Sequence, residues 1–286
     1  MGQNSKIEWT HHTFNPWWGC VRVSPGCKNC YAEAWARRIG LDIWGSRAPR
    51  RFFSDSHWKE PLRWHEEAKR AGVRRRVFCA SMADVFEKRD DLEPWRERLW
   101  ALIRQTPYLD WLLLTKRPDR IATCVPWGNR WPANVWLGTT AENQTWADKR
   151  LPELIRHPAA VRFVSAEPLI NCLDLRPWIR PRAGTRRIDW VIAGGESGAR
   201  ARPMNPEWAR NLRDQCISAG VRFHFKQWGH WRPETDNVEA GGLRRIQVTD
   251  ARGQPITLVR LGKKASGRDL DGTTWDEFPE PQIAAA

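Results

Sequence analysis

The sequence predicts an α/β protein: a full or partial (βα) barrel with a small C-terminal appendage. Two observations carry the barrel. Between Arg76 and Trp228, short apolar runs each stop at small, polar or charged residues and give way to a helix-like stretch. The runs begin roughly 24 to 35 residues apart, the length of one strand–helix unit. A third observation bears on its chemistry: three cysteines in a turn-rich loop ahead of the array.

The runs are VFCA (77–80) before SMAD, WLLL (111–114) before TKRP and VWLG (135–138) before TTAEN. They continue with RFV (162–164) before SAEP, WVIA (190–193) before GGESG and RFHF (222–225) before KQWG. Alternating strands and helices imply a parallel sheet. A short strand ahead of the cysteine loop brings the count to about seven, enough for the sheet to curl. Residues 31–39 read as a helix leaving the loop, and 58–71 as a second, ended by Gly72. Leu92, Trp95, Leu99, Leu102 and Ile103 share one face of a helix over 92–105, and further helices are expected over 146–156 and 206–219. Residues 243–248 and 256–261 flank DARGQP, a hairpin signal. The division expected is 1–240 for the barrel with its cysteine loop and 241–286 for the hairpin and tail. That tail either closes one end of the barrel or extends the basic surface.

Chemistry in such barrels sits at the C-terminal ends of the strands. Here those ends carry Ser81, Asp84, Thr115, Lys116, Arg117, Thr139, Glu142, Ser165, Glu167, Glu196, Lys226 and Gln227, a ring expected to face one pocket. Ahead of them Cys20, Cys27 and Cys30 form a C-x6-C-x2-C series around the turn residues Pro25 and Gly26. The two-residue gap is a chelate bite used for zinc and for iron–sulfur clusters. A structural zinc would need a fourth ligand, with His11, His12 or a distant cysteine as candidates. A 4Fe–4S cluster on three thiolates keeps one iron open, and position beneath a ring of polar strand ends favours this reading. S-adenosylmethionine can chelate such an iron through its amino and carboxylate groups, and electron transfer then yields a 5′-deoxyadenosyl radical.

Lys116, Arg117 and Lys226 are candidates to pair with the cofactor carboxylate, Arg117 having the bidentate geometry. Glu142, Glu167 and Glu196 are candidates for its amine or ribose hydroxyls. In GGESG, Gly194 and Gly195 allow backbone amides to approach a ligand. Cys124 is a candidate hydrogen-atom donor to a substrate radical. Cys79 and Cys216 read as inert core, and His224 as a hydrogen-bonded structural histidine.

The 286 residues carry a net charge of +14, which attracts polyanions, so nucleic acid is the first expected partner. Twenty tryptophans should mostly pack between helices and sheet, with a few exposed ones free to stack on bases. No signal peptide or spanning apolar run is legible, and seven scattered cysteines suit a reducing cytoplasm. The leading expectation is a radical enzyme acting on a nucleic acid or nucleotide, served by an electron donor, with no membrane. The alternatives are a non-enzymatic nucleic-acid-binding protein with a structural zinc and a radical enzyme acting on a small metabolite or peptide.

The motif series also resembles a known family. SKIEWT, TFNPWWGC, the three cysteines, TKRP, SAEPL, GGESG, KQWG and the tail GKKASGR, LDG and WDEFP recur in order. They are similar to a phage-associated family of uncharacterised three-cysteine proteins, grouped with the radical S-adenosylmethionine superfamily and distantly similar to spore photoproduct lyase. The resemblance implies a partial (βα)6-type barrel, a 4Fe–4S cluster on Cys20, Cys27 and Cys30, and S-adenosylmethionine at the strand ends. It departs from the commonest superfamily spacing, C-x3-C-x2-C, in its six-residue first gap. Asn29 stands where that pattern has an aromatic, and Tyr31 follows the third cysteine.

Overall fold

The computed structural model describes residues 2–180, 184, 186–235, 242–250 and 252–280. Seven parallel strands lie in chain order: β1 (His12–Thr13), β2 (Arg75–Cys79), β3 (Leu109–Thr115), β4 (Val135–Thr140), β5 (Val161–Ala166), β6 (Trp190–Gly194) and β7 (Arg222–Gln227). Val77 pairs with Trp111, Trp111 with Val135, and Trp190 with Arg222. β1 and β7 are the two edges, so the sheet is a half-barrel and does not close.

Helices α1 (Tyr31–Arg38), α2 (Asp55–Arg70), α3 (Glu93–Gln105), α4 (Ile121–Cys124), α5 (Gln144–Ile155), α6 (Arg176–Ile179) and α7 (Pro206–Ala219) fill the connections. Their ends obey local chemistry. Asn143 and Asn205 cap α5 and α7 by accepting the Trp146 and Glu207 amides, and Gly220 ends α7 with φ of 62°. The expected helices and strands are all present, with boundaries shifted by a few residues.

Period-two alternation sorts each strand between two cores. Val77, Trp111, Leu113, Val135, Leu137, Val191 and Phe223 face the helix layer. Phe78, Leu112, Trp136, Phe163, Trp190 and Ile192 face inward, joined by Trp9 from the N-terminal segment. Several tryptophans therefore fill the hollow of the half-barrel instead of the helix–sheet interface. Gly138 makes that filling possible: a Cβ there would lie 2.3 Å from the Phe163 ring. We expect Gly138→Ala to lower unfolding stability by about 1–3 kcal/mol in urea titrations, as overpacked cores do. Shrinking the ring as well, in Gly138→Ala/Phe163→Leu, should recover part of that loss.

The appendage is an antiparallel sheet of β8 (Trp231–Pro233), β9 (Arg245–Thr249) and β10 (Pro255–Arg260), ordered β8-β10-β9, followed by α8 (Lys263–Ser266). The hairpin stands where expected; residue 251 of its turn, the proposed boundary at 240/241 and residues 281–286 lie outside the described residues. The tail takes neither expected course alone: it runs along the edge of β7. The Phe225 amide donates to the Trp275 carbonyl at 3.0 Å and the Phe223 amide to the Glu277 carboxylate at 2.9 Å, so the tail covers the free edge of β7. Phe278 reaches the inner core 5.4 Å from Trp190, with Arg76 stacked on it at 3.9 Å. His224 also faces inward, and burial pushes its pKa down to about 3, so it is a neutral core group. No helix among the described residues is long and apolar enough to cross a membrane.

Candidate active site beneath a clamped cysteine loop

A cavity of about 400 Å³ opens at the C-terminal ends of the strands, roofed by the cysteine loop. Cys20, Cys27 and Cys30 all line it, and none is in a disulfide. Across from them stand Ser81, Lys116, Ser165, Glu167, Gly195 and Lys226. Ile7, Trp9, Phe78 and Leu114 make an apolar patch of the lining. Glu167 and Lys226 form an ion pair with oxygens 2.6 and 2.8 Å from Nζ, and Lys116 Nζ lies 3.1 Å from the Thr140 hydroxyl.

Three carboxylate–guanidinium sets hold the loop, each meeting it one residue from a cysteine. Asp84 accepts from Arg117 Nη1 at 2.9 Å, and Arg117 Nη2 donates to the Val21 carbonyl at 2.8 Å. The same guanidinium lies 3.8 Å from Cys20 Sγ. Glu142, backed by Arg150 at 2.9 Å, accepts the Gly26 amide at 3.0 Å. A Cβ on residue 26 would lie 3.0 Å from that carboxylate oxygen, which is why glycine precedes Cys27. Glu196 accepts Asn29 Nδ2 at 2.9 Å and is embraced by Arg202, whose Nη2 also donates to the Pro25 carbonyl at 3.1 Å. A fourth tie comes from Tyr31, whose hydroxyl donates to the Ser81 carbonyl at 2.8 Å.

Electrostatics follow from these contacts. Burial pushes the Asp84, Glu142 and Glu196 carboxyls up, but the hydrogen bonds and arginines around them win and hold all three below the ordinary carboxylate range. Depressed carboxyl values add stability above the unfolded-state pKa and lose it as pH falls through the folded value. The clamp should therefore open only below about pH 4, seen as faster proteolysis of the loop in acid while it stays protected at pH 6. Burial also pushes the Cys20 thiol up to about 12, against the pull of Arg117, and raises Cys30. Such thiols ionise when a metal binds them.

The donor set suits a thiolate-ligated cluster. The zinc alternative loses its named histidines: His11 accepts the Arg76 amide at 2.9 Å and His12 stacks on Trp64, and neither lines the cavity. Among the described residues no group of three or more His, Cys, Asp or Glu could hold a metal ion. Thiolates bound to three separate irons stand farther apart than ligands sharing one ion, so this does not count against a cluster.

A family model described as "Protein of unknown function (DUF5131)" matches residues 4–279. The chain belongs to this family. No curated protein matches the sequence. Among solved structures, a spore photoproduct lyase variant with bound AdoMet and dinucleoside spore photoproduct is similar, with a TM-score of 0.46 and 13% identity over 91% of this chain and 71% of that one. A second variant of the same lyase gives 0.48 at 13% over the same shares. The lyase complexed with dinucleoside spore photoproduct gives 0.46 at 12%.

Several expected site residues of this DUF5131 member stand elsewhere. Thr139 points to the helix side and donates to the Thr115 carbonyl at 2.8 Å; its neighbour Thr140 lines the cavity, because successive strand residues face opposite ways. Glu142 lies under the loop, outside the cavity lining, while Asp84 and Arg117 reach the lining with their charges committed to each other and the loop. Gly195 lines the cavity and Gly194 does not. The pair permits close packing: a Cβ on residue 195 would lie 2.0 Å from the Trp228 carbonyl. Cys124 packs in the helix-side core, away from the cavity, so it is no donor to a radical there. No tryptophan is exposed; all twenty fall within the described residues, and the most exposed large aromatic is Tyr31 at 54%. Asn15, Asn29, Thr140 and Lys263 also stand at the site, and the sequence assigned none of them a role there. Asn15 accepts the Met82 amide at 2.7 Å and donates to the Ser81 hydroxyl at 3.1 Å. Asn15 lies in TFNPWWGC and Lys263 in GKKASGR, stretches whose residue types alone do not say which side chain turns towards the cavity.

Proposed function

We propose that this protein is a radical S-adenosylmethionine enzyme in which Cys20, Cys27 and Cys30 hold a 4Fe–4S cluster. One observation carries the reading: three unpaired thiols on a loop clamped at three points line one cavity with the polar ends of a parallel half-barrel. When bound and reduced, a cluster with one open iron supplies the electron that cleaves S-adenosylmethionine to methionine and a 5′-deoxyadenosyl radical.

The chain's own residues supply position and exclusion. The clamp fixes the sulfur atoms before metal arrives, lowering the ordering cost of binding. Lys116, whose ammonium is held among the described residues by the Thr140 hydroxyl alone, is placed to take a carboxylate, while Glu167 and Lys226 offer paired charge to a zwitterionic group. Ser81, Ser165 and Gly195 add donors and acceptors around the cavity. The patch of Trp9, Phe78 and Leu114 keeps water from a reactive species. A net charge of +14 supports a nucleic acid or nucleotide as substrate, with a one-electron donor as second partner.

The test is anaerobic reconstitution followed by dithionite and S-adenosylmethionine. Formation of 5′-deoxyadenosine is the expected result. A colourless protein loaded with stoichiometric zinc and making none would overturn the reading.

A further inference from the structure

A second concavity, about 440 Å³, lies on the outer side of the cysteine loop between α1 and residues 197–200. It shares Arg22, Asn29, Cys30, Tyr31 and Ser197 with the reaction cavity, so the two adjoin. Five cations line it against one carboxylate: Arg22, Lys28, Arg37, Arg38 and Arg200 around Glu33. Glu33 is shared by Arg22 at 2.7 Å and Arg37 at 2.8 Å. Lys28, Arg38 and Arg200 are exposed, and none has an ion pair or side-chain hydrogen bond among the described residues. Three such exposed cations around one concavity make a positive field that attracts an anion.

Tyr31 stands where the slot meets the cavity. Its hydroxyl is tethered to the Ser81 carbonyl, which fixes the ring while leaving it the most exposed large aromatic among the described residues. A fixed, exposed ring beside a row of cations is the arrangement that binds single strands: phosphates on Lys and Arg, a base stacked on the aromatic.

We infer that this slot binds a single-stranded stretch of nucleic acid, its phosphates on Lys28, Arg38 and Arg200 and one base on Tyr31, presenting the adjoining nucleotide to the reaction cavity. A folded electron carrier is the competing occupant, and the experiment below tells the two apart. The inference rests on the cavity being the reaction site, so the two are tested by separate readouts.

The experiment compares reconstituted wild-type protein with the triple variant Lys28→Ala/Arg38→Ala/Arg200→Ala. Binding is followed by fluorescence anisotropy of labelled oligothymidylate and oligouridylate across a salt series, and iron content and dithionite-driven 5′-deoxyadenosine are measured alongside. The variant is expected to bind at least about tenfold more weakly. Its log–log salt slope should be shallower by about 2, at roughly 0.7 per lost single-strand phosphate contact. Iron content and 5′-deoxyadenosine should stay unchanged. Unaltered affinity and slope would overturn the assignment, as would a variant that binds strands normally but loses reduction by an acidic carrier protein. A wild type without cluster or 5′-deoxyadenosine would instead sink the radical reading, whatever the strands do.

Discussion

Cys27→Ala protein, reconstituted anaerobically with iron and sulfide, is expected to hold less than about 1% of the wild-type cluster and to form no 5′-deoxyadenosine above background. Loss of a partner that merely orients a ligand costs 10–100-fold in metal affinity, so loss of a ligand must exceed that range. No spare thiol can substitute. Cys79, Cys124 and Cys216 are buried in the helix-side core, and the exposed Cys172 does not line the cavity. Circular dichroism should match wild type, because Cys27 belongs to a surface loop and not to either core. Near-normal absorbance at the cluster band in this variant would remove Cys27 from the ligand set.

The second large effect concerns Glu142. It is fully buried, and Arg150, its partner at 2.9 Å, is nearly so. Removing the carboxylate leaves a buried guanidinium without its counter-charge, a change that costs about 3–5 kcal/mol. It also frees the Gly26 amide. Glu142→Ala should therefore fall sharply in unfolding stability and lose cluster together. The double variant Glu142→Ala/Arg150→Met separates the two effects. Removing the orphaned charge should restore most of the stability, since apolar replacement of a buried pair is close to neutral. Cluster retention should remain 10–100-fold down, because nothing then holds the loop at Gly26. Full recovery of iron in the double variant would show that Glu142 serves only the fold.

Much of the fold was legible because the chain obeys local rules repeatedly. Each strand is an apolar run stopped by polar residues, and α7 is bounded by Asn205, Pro206 and Gly220 as capping chemistry demands. The cysteine loop announced itself by spacing. Roles within the site were less legible for a physical reason: a polar strand end can face a ligand or a neighbouring segment, and the choice depends on long-range contacts. Glu142 meets Gly26 across 116 positions, and Asn29 meets Glu196 across 167. No local pattern encodes such distances. Thr140 lines the cavity and Thr139 does not for a simpler cause, since one residue of phase decides the face of a strand. Most tryptophans keep to the helix-side core as composition suggested, and Trp9, Trp136 and Trp190 fill the hollow, where Gly138 opens the inner face to Phe163.

The central claim is that three sulfur ligands leave one iron open to S-adenosylmethionine. Electron paramagnetic resonance of the anaerobically reconstituted, reduced protein, with and without S-adenosylmethionine, tests it most directly. We predict about four irons and four sulfides per chain and a reduced-cluster signal whose g-values shift when the cofactor is added. A signal indifferent to the cofactor, or a chain that takes up stoichiometric zinc and no iron, would contradict it.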